Sequence, residues 1–164
     1  MEESSEDKTT QYLTFTINNE TYALKVINVK EVLEFTTVSK VPRMPDFMRG
    51  IINLRGSVVP VVDLKMKFGM GETEKAIDTS IIVTEVLLDD ELVTMGLLTD
   101  SVKEVIEMSD EEIEPTPYIG TKIDTDFIKG MGRKNDIFLI VLNIEKVLTV
   151  SEINMVSAQE EKAE

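Results

Sequence analysis

The chain has no cysteine, no histidine and no tryptophan among its 164 residues. Without cysteine, disulfides, zinc–thiolate centres and thiol nucleophiles are excluded. Without histidine, the usual general base, the commonest metal ligand and any phosphohistidine acceptor are missing. Carboxylates and lysines alone remain for acid–base or metal work. No apolar run approaches the ~20 residues that cross a bilayer. The acidic start, Met1-Glu-Glu-Ser-Ser-Glu-Asp, lacks the apolar core of a signal peptide. These absences predict a soluble, intracellular (cytoplasmic) protein with no catalytic residues, cofactor or metal expected, and leave only a lysine- or carboxylate-based mechanism open to catalysis.

What is present bounds the architecture. Apolar residues make up 42%, enough for one compact unit or two small, intimately packed ones that bury roughly 70% of the unfolded surface. Net charge is −14; residues 1–10 and 151–164 carry −3 each, leaving −8 for the body. So acidic a chain repels nucleic acid and anionic membranes unless its charge is segregated. It is partly segregated. Lys40, Arg43, Arg49, Arg55, Lys65 and Lys67 face only Asp46 and Asp63 within residues 40–67, whereas residues 85–114 hold eleven acids against Lys103. Solvated surface charge is the ordinary meaning of such runs; a mildly basic face for a protein partner is the sharper one. Nine methionines against nine aromatics suit either core gap-filling or an adaptable docking surface.

Periodicity indicates about ten short strands. Gln11–Ile17 and Thr21–Val26 alternate around an Asn18-Asn19-Glu20 turn, predicting a hairpin with Leu13, Phe15, Ile17, Tyr22, Leu24 and Val26 inward. Val26–Phe35 reads either as helix or as a helical turn followed by a strand. Pro42 and Pro45 make 40–45 an irregular connector, and Asp46–Arg49 suggests a turn of helix capped by Asp46. Ile51–Leu54 and Val58–Val62 flank an Arg55-Gly56-Ser57 bend, whose lone guanidinium needs a structural or binding reason. Leu64–Phe68 reads as a short helix and 69–78 as a polar loop. Strands follow at Thr79–Leu88, Leu92–Leu98 and Ser101–Met108, then an acidic loop over 109–122. Phe127–Met131 reads as a strand, Gly132–Asn135 as a turn, Asp136–Leu142 as a buried strand and Asn143–Leu148 as a helix. No verbatim internal repeat is evident, although each half holds about five strands. Two small barrels side by side are the preferred architecture, with a single sandwich second.

Motifs for chemistry are sparse. Gly69-Met-Gly71 and Gly130-Met-Gly132 lack the third glycine and the strand–helix setting of a nucleotide loop. Asp89-Asp90-Glu91 and Asp124/Asp126 lack calcium-loop spacing and read as solvated turn acids. A small-barrel nucleic-acid binder is the main rival; it needs a basic, aromatic-rich surface, which −14 and 5% aromatics argue against. A small-ligand enzyme has no visible constellation to support it.

The runs Val29-Lys-Glu31-Val32, Gly50-Ile-Ile-Asn-Leu-Arg55-Gly56, Val59-Pro60-Val-Val-Asp63-Leu64, Gly96-Leu-Leu-Thr-Asp100-Ser-Val102-Lys-Glu-Val105 and Asn143-Ile-Glu-Lys-Val-Leu148 resemble the CheW family of bacterial chemotaxis coupling proteins. The resemblance covers residues 11–150, leaving 1–10 as an expected disordered tail and 151–164 as a charged one. It implies an all-β fold of two SH3-like five-stranded barrels, interleaved in one domain and sharing a hydrophobic core, with short connecting helices and a short C-terminal one. It implies an adaptor, monomeric in isolation, that joins the CheA histidine kinase regulatory domain to the cytoplasmic tips of chemoreceptors, with no nucleic acid and no direct membrane contact. No kinase or receiver module accompanies the domain, so a stand-alone coupling protein is expected, recruited to receptor arrays. By motif position, the receptor-binding residues are Val26, Val29, Glu31, Val32, Arg55, Val102 and Val105; the kinase-binding set is Val41, Met44, Phe47 and Met48. Thr99 departs from the family, which places an apolar residue before the Asp100-Ser-Val102 segment.

Overall fold

A computed structural model describes residues 9–88, 90–115 and 127–147. The expectations for residues 1–8 and 151–164, for Asp89, for 116–122 of the acidic loop and for Asp124/Asp126 lie outside them; Thr10, expected in a disordered tail, instead begins a strand, and Ile113–Glu114 of the expected loop form another. Eleven strands form two sheets among the described residues. β1 (Thr10–Ile17) and β2 (Glu20–Lys25) pair with β8 (Ser101–Met108), β9 (Ile113–Glu114), β10 (Ile128–Lys134) and β11 (Ile137–Leu142) in the order β8-β1-β2-β11-β10-β9. The remaining strands are β3 (Val29–Glu34), β4 (Met48–Leu54), β5 (Ser57–Asp63), β6 (Ser80–Leu88) and β7 (Glu91–Thr99), in the order β3-β6-β7-β5-β4.

The sheets curl into the two barrels anticipated, but not one per half of the chain. The central barrel is continuous, from β3 to β7. The terminal barrel takes its first hairpin from the N-terminus and its other strands from the C-terminal part. Each contains one parallel pair, β5 with β7 and β2 with β11. The central sheet closes where Ser39 exchanges both backbone hydrogen bonds with Ile51, at 2.9 and 2.8 Å. In the terminal barrel β8 runs into β9 through a 3-10 turn, Asp110–Glu112, fixed by a capping box between Ser109 and Glu112. The hydrogen bond from the Ser109 amide, more than the nearby Lys134, holds the Glu112 carboxyl below its usual range.

Turn chemistry sets the hairpins. Asn18-Asn19, Arg55-Gly56 and Asn135-Asp136 all have positive φ at both central positions, the geometry whose twist matches the flanking strands. Asn and Asp tolerate it, and Gly56 supplies it freely.

Three apolar clusters result. Ile52, Val59, Val61, Ile81, Val83 and Leu98 fill the central barrel. Tyr12, Ala23, Met108, Leu139 and Val141 fill the terminal one. The largest lies between the barrels and takes Leu13, Phe15, Tyr22, Leu24 and Leu142 from one and Met48, Val62, Ile82, Met95 and Leu97 from the other. Strands such as β1 are therefore buried on both faces. A ring series, Phe15–Tyr22–Phe68–Phe127, with centroid spacings of 5.8, 5.9 and 5.6 Å, runs across this shared core.

Four expectations are corrected. Asp46 and Phe47 form a turn and Met48 already starts β4, because the Met48 amide bonds the Pro45 carbonyl at 2.9 Å. The stretch Gly132–Lys134 continues β10 rather than turning. Residues after Asn143 form a 3-10 turn, Ile144–Lys146, without a side-chain cap. There is also an internal repeat. Phe47–Lys67 corresponds to residues 127–147 at a constant offset of 80 positions. Both hairpins share a register, a bulge before Gly50 or Gly130, and a bond from the Asp63 or Asn143 amide to the Phe47 or Phe127 carbonyl.

Candidate functional site

The edge strands β3 and β8 repeat one another at an offset of 73 positions. Val29-Lys-Glu-Val-Leu-Glu34 corresponds to Val102-Lys-Glu-Val-Ile-Glu107. Both contain a bulge at the Lys-Glu pair: Val29 and Val32 oppose Thr84 and Ile82, and Val102 and Val105 oppose Phe15 and Leu13, three residues against two. A bulge re-aims side chains on an edge strand. In β8 it is held by Thr14, whose hydroxyl donates to the Glu104 carbonyl at 2.8 Å and accepts from the Glu104 amide at 3.0 Å.

The consequence is the same in each barrel. Val29 and Val102 are half-buried against the shared core, together with Val26 from the 3-10 turn Val26–Asn28. Val32 and Val105 stand outward, 42% and 51% exposed. The structure thus settles Val26–Phe35 as a turn then a strand. It packs Val26, Val29 and Val102 against the one shared core and leaves Val32 and Val105 exposed on the same two edge strands.

Arg55 acquires its reason. From the tip of the β4–β5 hairpin it forks onto Glu31 of β3, with Nη1 to Oε2 at 2.5 Å and Nη2 to Oε1 at 3.1 Å. Arg55 remains 74% exposed while Glu31 is 25% exposed. The hydrogen bonds from Arg55, ahead of its charge, hold the Glu31 carboxyl below its usual range. The fork presents a polar edge beside Val29 and Val32.

The second predicted set does not stay together. Met44 and Phe47 are half-buried against the shared core, and Val41 is half-buried in the connector. Met48 is only 7% exposed and belongs to the core, so it offers no docking surface. The basic stretch is likewise not one free face. Arg49 turns inward to Asp63, Nη1 to Oδ2 at 3.1 Å, and Lys67 lies over the Phe47 ring at 4.2 Å. Asp63, buried to 1%, also accepts from the Thr73 amide and hydroxyl and from the Lys65 amide, capping helix α1 (Leu64–Lys67). Thr99 is buried and donates to the Ser80 carbonyl, a polar variation satisfied within the sheet.

Among the described residues no three carboxylates gather as a metal site, and no helix is long and apolar enough to cross a membrane. The CheW-like domain model matches residues 11–152. The chain belongs to the CheW-like family. Chemotaxis protein CheW of Klebsiella aerogenes is 32% identical over 146 residues, covering 89% of this chain and 86% of that protein. The Bacillus subtilis CheW is 31% identical over 137 residues, covering 83% and 85%. The solved scaffolding protein TtCheW of Thermoanaerobacter tengcongensis has a TM-score of 0.78 at 35% identity, covering 88% of this chain and 91% of that one. Sequence reading of this CheW-like chain missed the Val-Lys-Glu-Val repeat, although its letters are identical at both sites.

Proposed function

We propose that this chain is a non-catalytic coupling adaptor of chemotaxis, holding chemoreceptor tips against a CheA-type histidine kinase. One observation carries the reading: two bulged Val-Lys-Glu-Val edge strands deliver Val29 and Val102 onto one inter-barrel core and leave Val32 and Val105 exposed. An unpaired apolar strip of this kind, bordered by the Arg55–Glu31 fork, suits the apolar stripe of a helical hairpin. The receptor hairpin lies along Val26, Val29, Glu31, Val32, Arg55, Val102 and Val105. The kinase regulatory domain docks at the end of the central barrel through Val41, Met44 and Phe47. The chain then works at the cytoplasmic tips of receptor arrays.

Control through such a protein requires different contacts in the kinase-on and kinase-off assemblies, because a ligand shifts an equilibrium only by its differential affinity. Co-sedimentation with a receptor cytoplasmic fragment and with the kinase, separately and together, tests the reading. Both partners are expected in the pellet with the chain; absence of both overturns it. Val29→Asp should abolish receptor co-sedimentation while leaving kinase binding. Arg55→Glu should keep the fold and impair receptor-dependent kinase control.

A further inference from the structure

The offset of 80 positions exposes one polar position that the two barrels treat differently. In the central barrel the cation after the first hairpin residue, Arg49, is met by the Asp63 carboxylate. The corresponding pair in the terminal barrel is Lys129 and Asn143; the carboxylate has become a neutral amide. A second cation adds to the imbalance, since Lys25 lines the same cavity as Lys129. Neither lysine makes an ion pair among the described residues. Both line a cavity of about 310 Å³ with Ile27, Asn143, Ile144 and Glu145.

We propose that Lys25 and Lys129 form a subsite for a carboxylate side chain of the docking partner, which fills the role that Asp63 plays inside the other barrel. Two ammonium groups lining one cavity repel, and a bridging carboxylate removes that repulsion while accepting hydrogen bonds from both. Burial first, and then Lys25, lowers the Lys129 pKa; Asp110 and Glu145 act in the opposite sense without pairing with it. The cavity sits beside the candidate groove, because the 3-10 turn that sends Val26 to the shared core also places Ile27, 86% exposed, at the cavity rim. The partner segment therefore carries an acid next to an aliphatic residue. The inference rests on the groove reading under Proposed function and adds to it the charge of the bound segment.

The test is calorimetric titration of the full chain with a receptor hairpin fragment at two salt concentrations. The Lys25→Met/Lys129→Met double variant should bind about tenfold more weakly, with a flatter salt dependence. Asn143→Asp restores the internal carboxylate and should weaken binding several-fold while raising the titration of the Lys129 ammonium followed by nitrogen NMR. Wild-type binding by both variants, with Val29→Asp abolishing it, overturns the subsite and leaves the groove standing. Wild-type binding by Val29→Asp as well overturns both. Inorganic phosphate is titrated without partner: a saturable shift of the Lys129 signal would assign the subsite to a free anion and overturn the partner carboxylate, whereas no shift supports it. Melting curves of the three variants check that each is folded.

Discussion

The central and terminal barrels share the order of five strands, hairpin register and bulges, yet differ in charge at matching positions. In the central barrel polar groups are closed on themselves: Arg49 with Asp63 and Thr73, and Arg55 with Glu31. In the terminal barrel the matching places hold Lys129 with Asn143, and Asn135 in place of Arg55. Apolar interiors are equivalent, because either barrel must exclude water to exist. Polar groups are free to diverge once the strands are paired, and they diverge at the ends of the β4–β5 and β10–β11 hairpins. The duplication therefore repeats the apolar interior that folding requires, and with it the Val-Lys-Glu-Val edges, while the polar groups of the two hairpins diverge.

Glycine replacement gives the largest test of the shared part. A Cβ at Gly50 would stand 2.2 Å from the Ser39 carbonyl oxygen, at φ 147°, and one at Gly130 would stand 2.7 Å from the Glu114 carbonyl oxygen. Both contacts are backbone on a closing strand, so neither can swing away. Gly50→Ala should cost about 3 kcal/mol or more, since steric clash and backbone strain add. Gly130→Ala, without the positive φ, should cost about half as much. Denaturant titration measures both; equal, small losses would mean the barrels are not closed at these points.

Next comes the part that differs. Asp63→Asn makes the central barrel resemble the terminal one at that position. It removes a charge-assisted acceptor for Arg49 and Thr73 from a site 1% exposed. Arg49 retains the Thr73 carbonyl and lies 3.8 Å from Glu72, so the loss should be about 2–3 kcal/mol, near the lower end for breaking a buried pair. A melt within one degree of wild type would show that Asp63 is not holding the 69–78 loop.

This division explains what could be read from the letters alone. Strand positions and hairpin turns were legible because period-two alternation and Asn-Asn or Arg-Gly turns are local. The seven candidate residues came from motif position, and the coordinates add that three of them pack against one core. Met48 was not legible as a core residue, because its burial depends on the terminal barrel packing across it. Gly132 was mistaken for a turn because a glycine needed for close approach to Met108 looks, in sequence, like any other glycine. The interleaving of the barrels came only from the family resemblance, because pairing of β2 with β11 joins residues more than a hundred positions apart, which local periodicity cannot read.

Tyr22→Phe should have a smaller effect. The Tyr22 hydroxyl is buried without a hydrogen-bond partner among the described residues, and burial drives its pKa well upward. Removing an unsatisfied buried hydroxyl while keeping the ring stack between Phe15 and Phe68 should leave stability unchanged or raise it by about 1 kcal/mol. The Tyr12 hydroxyl, in the terminal barrel's own core, is in the same condition, and Tyr12→Phe should behave alike. A loss above about 1 kcal/mol in either variant would reveal a partner for that hydroxyl.

The smallest effect on stability belongs to the Arg55–Glu31 fork, which the terminal barrel lacks. Glu31 has a folded-state pKa below its unfolded value because Arg55 donates to it. Its contribution is therefore present above the unfolded carboxylate range and is lost as pH falls through the depressed folded value. With Arg55 74% exposed, solvent screens the pair, and Arg55→Met should not measurably move the melting temperature at neutral pH. The same variant should return the Glu31 carboxyl to ordinary titration in carbon NMR and weaken receptor-dependent kinase control. A fork whose removal changes titration and coupling but not melting is there to orient a partner-facing edge; a fall in melting temperature equal to that of Asp63→Asn would instead make it a structural clasp like its buried neighbour.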